Sequence, residues 1–232
     1  MYRSVFFLIF FLSFFNSFEI KADEIIKKNL SDFTQLIVQG RIPVVLEEGK
    51  QYSAEIRIKS DDIDPDKIAF VSKGSQMIVK YTGFTLKELD MIIILRVPNI
   101  DFIESRQGAR ISMGSNMRIK SPKITVNVFA GGIVTGKFDV ESAEVNIDQG
   151  GDIVLVGTAK QLIGNVTTGG TIDALGMIAN NSVVKVRMGG TIQVNFSETL
   201  NASVFSGGEI NYRGNGTITE KITLGGTIER LR

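Results

Sequence analysis

Hydrophobic and polar positions alternate with period two through the second half of the chain. At a regular interval the alternation is broken by paired glycines: Gly131-Gly132, Gly150-Gly151, Gly169-Gly170, Gly189-Gly190, Gly207-Gly208 and Gly225-Gly226, spaced by 19, 19, 20, 18 and 18 residues. Three positions before each first glycine stand Val128, Ile147, Val166, Val186, Val204 and Ile222; three positions after it stand Val134, Ile153, Ile172, Ile192, Ile210 and Ile228. All twelve are β-branched, stiff at χ1 and suited to a pleated, half-buried surface. Their outward neighbours are mostly polar, as in Asp152, Thr171, Thr191, Glu209 and Thr227. A period of this length marks a solenoid, and glycine marks where the chain turns sharply, because it reaches φ > 0 without steric cost. The predicted rung is strand, glycine corner, strand, then a return of roughly ten residues, stacked in parallel so that both aliphatic columns are buried. The fold class is all-β, a parallel β-helix.

The first half carries strands without the repeat. Phe33 to Val38 is extended, Gly40-Arg41 breaks it, and Ile42 to Leu46 follows, interrupted by Pro43. Glu47 to Lys50 reads as a turn, and Tyr52 to Lys59 alternates as a half-buried strand. Asp61 to Lys67 reads as a turn or a single helical turn near Pro65. Two strands around Lys73-Gly74-Ser75, a linker at Leu86 to Leu89 and the apolar run Met91 to Val97 complete the segment. Such a run suits a strand covered on both faces. Residues 23–32 read as a leader. Gly108-Ala109-Arg110-Ile111 is a degenerate first corner. The expected organisation is residues 1–22 as a signal peptide, 23–105 as a non-repeating β-rich N-terminal cap, and 106–232 as the β-helix repeats.

The signal reading rests on Arg3, the apolar run Val5 to Phe18, and Ala22 as a small residue before Asp23. The run is short for a membrane span, so after cleavage no span is expected. The chain has 232 residues, with no cysteine and no histidine. Disulfides, thiolate metal sites, cysteine nucleophiles and the Ser-His-Asp arrangement are thereby excluded. The calcium-binding nonapeptide pattern is missing too, so neither cofactor nor metal is expected. Without residues 1–22 the chain carries 24 basic and 24 acidic residues, which gives no electrostatic grip on nucleic acid.

The strand Tyr52 to Lys59, the strand end Val97-Pro98 and the run of Gly-x-Ile corners resemble the auto-transporter adhesin family, head GIN domain. Ser206 to Asn215 and Leu224 to Ile228 look most like its closing repeats. The resemblance covers roughly residues 30–232. It implies a right-handed, single-stranded parallel β-helix exported by Gram-negative bacteria to the periplasm, outer surface or medium. It also implies an adhesive role and supplies no catalytic motif. The family often shows Gly-Ser-Gly at its corners; here paired glycines stand instead.

Six residues are candidate ligand contacts. Asp148 and Asp152 bracket a corner, and Asp173 and Arg187 could lie on neighbouring rungs, as carboxylates and arginines do in β-helix polysaccharide enzymes. Phe129 and Phe205, each two before a doublet, could stack on sugar or form a subunit contact. Against this, outward acidic residues also serve simply to keep a solenoid soluble, and fold alone implies no activity. Asn127, Asn146 and Asn165 stack on successive rungs and read as a bracing amide ladder. The leading expectation is therefore a non-catalytic exported β-helix in surface adhesion or envelope scaffolding. The alternatives are a carbohydrate-active enzyme and a non-catalytic glycan-binding module. A glycan or cell-surface ligand is the expected partner. So is a second copy, since the last rung exposes Ile228 and Leu231 with only Glu229, Arg230 and Arg232 to guard it.

Overall fold

The computed structural model describes residues 24–60, 62–83 and 89–232; the signal segment and most of the expected linker lie outside them. The strands are β1 (Glu24–Asn29), β2 (Gln35–Gln39), β3 (Pro43–Glu48), β4 (Ser53–Ile58), β5 (Ile68–Lys73), β6 (Gln76–Tyr81), β7 (Met91–Val97), β8 (Phe102–Arg106) and β9 (Arg110–Met113). They continue as β10 (Ile119–Phe129), β11 (Ile133–Asp148), β12 (Asp152–Thr168), β13 (Thr171–Met188), β14 (Thr191–Ser206), β15 (Glu209–Arg213), β16 (Thr217–Ile222) and β17 (Thr227–Arg230). A single 3₁₀ turn at Pro65–Lys67 is capped by Asp64, whose side chain accepts from the Asp66 amide. Together they form a β-solenoid of about seven turns.

Two parallel ladders run the length of the solenoid. One passes through β6, β2, β8 and β10, then the second halves of β11 to β14, and ends on β16. The other passes through β7, β3 and β9, then the first halves of β11 to β14, and ends on β15 and β17. The glycine corner joins the ladders on one side. The expected separate return of ten residues does not exist. Instead the strand leaving one corner bends once and becomes the strand entering the next.

That bend contains no glycine. It falls at Pro122, Glu141, Lys160, Asn180 and Glu198, all exposed. Two consecutive outward residues there switch the parity of the buried positions, from Val134, Phe138 and Val140 to Ala143, Val145 and Ile147. Neighbouring bends hold each other: Lys160 Nζ lies 2.6 Å from Glu141 Oε1, and Asn180 Nδ2 donates to Glu198 Oε1 at 2.7 Å. Unequal doublet spacings are absorbed as bulges. Val154 pairs with Asp173, but Val156 pairs with Gly176, so one extra residue enters β13. The Asp173 carboxylate accepts the Leu175 amide at 3.0 Å and shapes this bulge.

The interior is one continuous apolar cluster. Ten of the twelve repeated aliphatics are buried; the last-rung pair differs, with Ile222 47% exposed and Ile228 only partly covered. A fully buried Val or Ile contributes about 1.5–3 kcal/mol, so the two columns are the backbone of the stack's stability.

The N-terminal segment is more than a cover. β2 and β3, joined by a corner at Gly40 (φ +90°), form a rung seated between the β6–β7 rung and the β8–β9 rung. The first rung in sequence is thus the second in space, and the parallel ladders begin well before residue 106. Residues Glu24–Asn29, expected to be a leader, form β1 because β4 offers a free edge. β4 lies antiparallel on β7, and β1 antiparallel on β4. β5 lies antiparallel on β6. At this end, therefore, both ladders finish in antiparallel strands, which stops parallel stacking.

Glu55 on β4 departs from the expected alternation. It faces outward yet is only 6% exposed, because two guanidinium groups lie across it. Arg57 Nε donates to its Oε1 at 2.8 Å and Arg96 donates to its Oε2 at 3.1 Å, while Arg96 Nε also reaches Glu47 at 3.2 Å. Hydrogen bonds from Arg57 and then Arg96 hold the Glu55 carboxyl below its ordinary pKa, against the opposing effect of burial. A carboxylate lowered in the folded state adds stability that is present above the ordinary glutamate range and is lost as pH falls through the folded value. Urea midpoints measured down the acid limb should therefore fall less steeply in Glu55→Gln than in the native chain. Parallel acid limbs would remove Glu55 from the account.

Candidate functional site

Outward residues on the ladder that ends at β16 line up in two columns, set by register alone. Nearer the corner run Gln39, Arg106, Phe129 and Asp148; two residues back run Glu104, Asn127, Asn146 and Asn165. Side chains two apart on a strand share a face, and adjacent strands stand about 4.8 Å apart, so these residues tile one surface. Over all of them except Asn165 lies a groove of about 520 Å³, lined also by Gln107 and Val128.

The floor is an amide ladder with a carboxylate at its foot. Asn165 Nδ2 donates to Asn146 Oδ1 at 2.9 Å, Asn146 Nδ2 to Asn127 Oδ1 at 3.0 Å, and Asn127 Nδ2 to Glu104 Oε2 at 3.5 Å. The bracing role read from the sequence is therefore real. Glu104 is buried, and Arg106 Nε donates to its other oxygen. Gln39 Nε2 donates to Gln107 Oε1 at 3.0 Å and ties the corner end of the wall. On the opposite side of the β8 strand, buried Ser105 donates to the Ala109 carbonyl at 2.7 Å and accepts from the Ile133 amide, bracing two corners at once.

The six sequence candidates divide between the two ladders. Phe129 (37% exposed) and Asp148 come together on the groove wall. Arg187 and Phe205 lie farther along the same column, toward β16, and do not reach it. Asp152 and Asp173 project from the other ladder, beyond the corner. Asp173 is occupied at the bulge described above. Among the described residues no group of three or more acidic side chains is placed to hold a metal ion.

Sequence reasoning missed Glu104, Arg106, Gln39 and Gln107 as groove residues. A signal for two of them existed. Counted back from Gly108 as from a doublet, Glu104 falls in the asparagine column and Arg106 in the Phe129 column.

Comparison with known proteins places the fold in company. Residues 32–216 match the family described as "Putative auto-transporter adhesin, head GIN domain". A putative adhesin from Bacteroides fragilis superposes with a TM-score of 0.78 at 18% identity, covering 91% of this chain and 98% of that one. One from Parabacteroides merdae gives 0.69 at 20% identity, covering 90% and 96%. A putative lipid binding protein from Parabacteroides distasonis gives 0.70 at 17%, covering 90% and 97%. No curated protein matches. At these identities the structural likenesses bear on fold, while the match over most of the sequence decides kinship: the chain belongs to the auto-transporter adhesin, head GIN domain, family.

Proposed function

We propose that the protein is exported and works without catalysis, recognising a ligand at the cell surface or envelope through an outer face of its solenoid. The observation that carries this reading is the division of the candidate carboxylates. A glycosidase acts with two carboxyl groups facing one bond from about 5–10 Å apart. Here Asp148 projects from one ladder and Asp152 and Asp173 from the other, with Asp173 committed to a backbone amide. Glu104, which shares the groove with Asp148, is buried and bound to Arg106 and Asn127. What remains is a broad, polar, regularly spaced face, which suits adhesion. Family membership supports the same role, and the apolar run at Val5 to Phe18 supports export.

The test is made on intact source cells. The expected result is surface labelling of the chain by a membrane-impermeant reagent, and weakened attachment of cells in which it is deleted. A chain that labels only after lysis, or a deletion strain that attaches normally, overturns the reading. Self-association belongs to the same proposal: among the described residues β16 and β17 each pair on one side only, with Ile222 and Leu224 exposed beside them. Light scattering should show mass rising with concentration; a constant monomer mass would remove this part.

A further inference from the structure

We infer that the groove over the asparagine ladder is a subsite for a linear, uncharged glycan. The inference rests on the adhesive reading and specifies its ligand. Its first support is the hydrogen-bonding arithmetic of the floor. A primary amide offers two N–H donors and two acceptor lone pairs. In the ladder Asn127 and Asn146 each spend one donor downward and one acceptor lone pair upward. Each amide therefore keeps one donor and one acceptor for whatever lies in the groove. A hydroxyl group, itself donor and acceptor, is the chemistry that satisfies such a pair. The pairs repeat about every 4.8 Å, so a polyhydroxylated chain laid along the stacking direction meets one amide per rung.

The second support is the wall. Phe129 holds its ring half-exposed beside the ladder, where the apolar C–H face of a sugar ring can pack on it. The volume falls within the usual range of small-ligand sites, about 300–1,000 Å³. The charges select against anions. Arg106 is the only cation among the lining residues and is already bound to Glu104, while Asp148 adds a negative charge on the rim. An acidic glycan would face two carboxylates with the one guanidinium committed elsewhere.

The experiment is isothermal titration calorimetry on the purified chain with cellohexaose, mannohexaose, chitohexaose and a galacturonate hexamer. At least one neutral hexaose is expected to bind in the micromolar to millimolar range. Phe129→Ala should weaken it about tenfold. Asn146→Ala should weaken it also. Phe205→Ala, exposed in the same column but off the groove, should leave it unchanged. Melting curves establish that each variant is folded, and Phe129→Ala removes a surface ring only. No binding of any neutral hexaose at millimolar concentration, binding indifferent to Phe129→Ala, or preference for the galacturonate hexamer would each overturn the inference. Any of these could occur while the chain still labels on the cell surface and supports attachment, so the two readings fail separately.

Discussion

Gly190→Val should lower the stability of the solenoid by about 2–6 kcal/mol, while Gly189→Asn should change it by less than about 1 kcal/mol. The neighbouring glycines differ because they do different work. Gly189 has φ +70°, in the left-handed well that asparagine also enters, and a Cβ built there meets nothing within 4 Å. Gly190 has φ +97°, outside that well, and its Cβ would stand 2.7 Å from the Val166 side chain and 2.8 Å from the Gly170 carbonyl oxygen. The carbonyl belongs to the corner one rung back, which cannot move without disturbing its own ladder. A backbone penalty of about 1–3 kcal/mol and an overpacking penalty of similar size therefore act together at Gly190. Gly170 repeats the arrangement, with the Gly151 carbonyl at 2.6 Å and the Ile147 side chain at 2.8 Å from its Cβ. Urea unfolding of the two variants beside the native chain is the measurement. Equal losses from both would show that the corner reads the doublet as a unit, contrary to this argument.

The doublets were the legible part of the fold because a sharp corner leaves few residue choices. Even there the register slides. In the first repeat corner the left-handed residues are Ala130 (φ +50°) and Gly131, and Gly132 is not among them; in the second, Gln149 (φ +62°) joins both glycines. Short side chains or flexible ones can hold the first left-handed position, as Gln107 does before Gly108. That is why the corner at Gly40, with one glycine, did not announce its rung, and why the corner at Gly108 could be read only as a degenerate one. The opposite bend was illegible for another reason. It needs only two adjacent outward residues, and any side chain tolerated in solvent supplies one, so Pro122, Glu141, Lys160, Asn180 and Glu198 share no identity to detect. The spatial order of the first rungs lies beyond pattern altogether, since β2 carries the same alternation whichever neighbours it pairs with. At the candidate site, Phe129 and Asp148 could be named from the repeat. Their gathering with Glu104 and Arg106 required the register of β8, which leads into a corner lacking the doublet.

Phe138→Ala should cost about 3–5 kcal/mol, and the reason lies in glycines away from the corners. Phe138 is fully buried in the first half of β11, where most inward positions hold Val, Ile or Ala. Its ring needs room that the column does not ordinarily have, and Gly136 makes it. A Cβ on Gly136 would stand 2.5 Å from the ring, so the ring lies over that glycine on its own strand. One rung on, Gly157 pairs with Phe138 at φ +123°, and a Cβ there would fall 2.0 Å from the Phe138 carbonyl oxygen. The pattern recurs at Phe196, where Gly214 (φ +138°) would bring a Cβ within 2.2 Å of the phenylalanine carbonyl oxygen. Phe138 and Phe196 are thus each matched by a glycine in the next turn. Removing the ring leaves a cavity that these glycines have no side chains to fill, and strands held on both sides by ladders cannot collapse into it. In a chain of this size a loss of 1 kcal/mol lowers Tm by about 2–4 °C, so the midpoint should fall by roughly 6–20 °C. Phe205→Ala is the internal comparison: its ring is 48% exposed, and the expected change is within about 0.5 kcal/mol. Should Phe138→Ala melt within a degree or two of Phe205→Ala, the stack would have to close around the gap, and the ladders would be far softer than their continuous pairing implies.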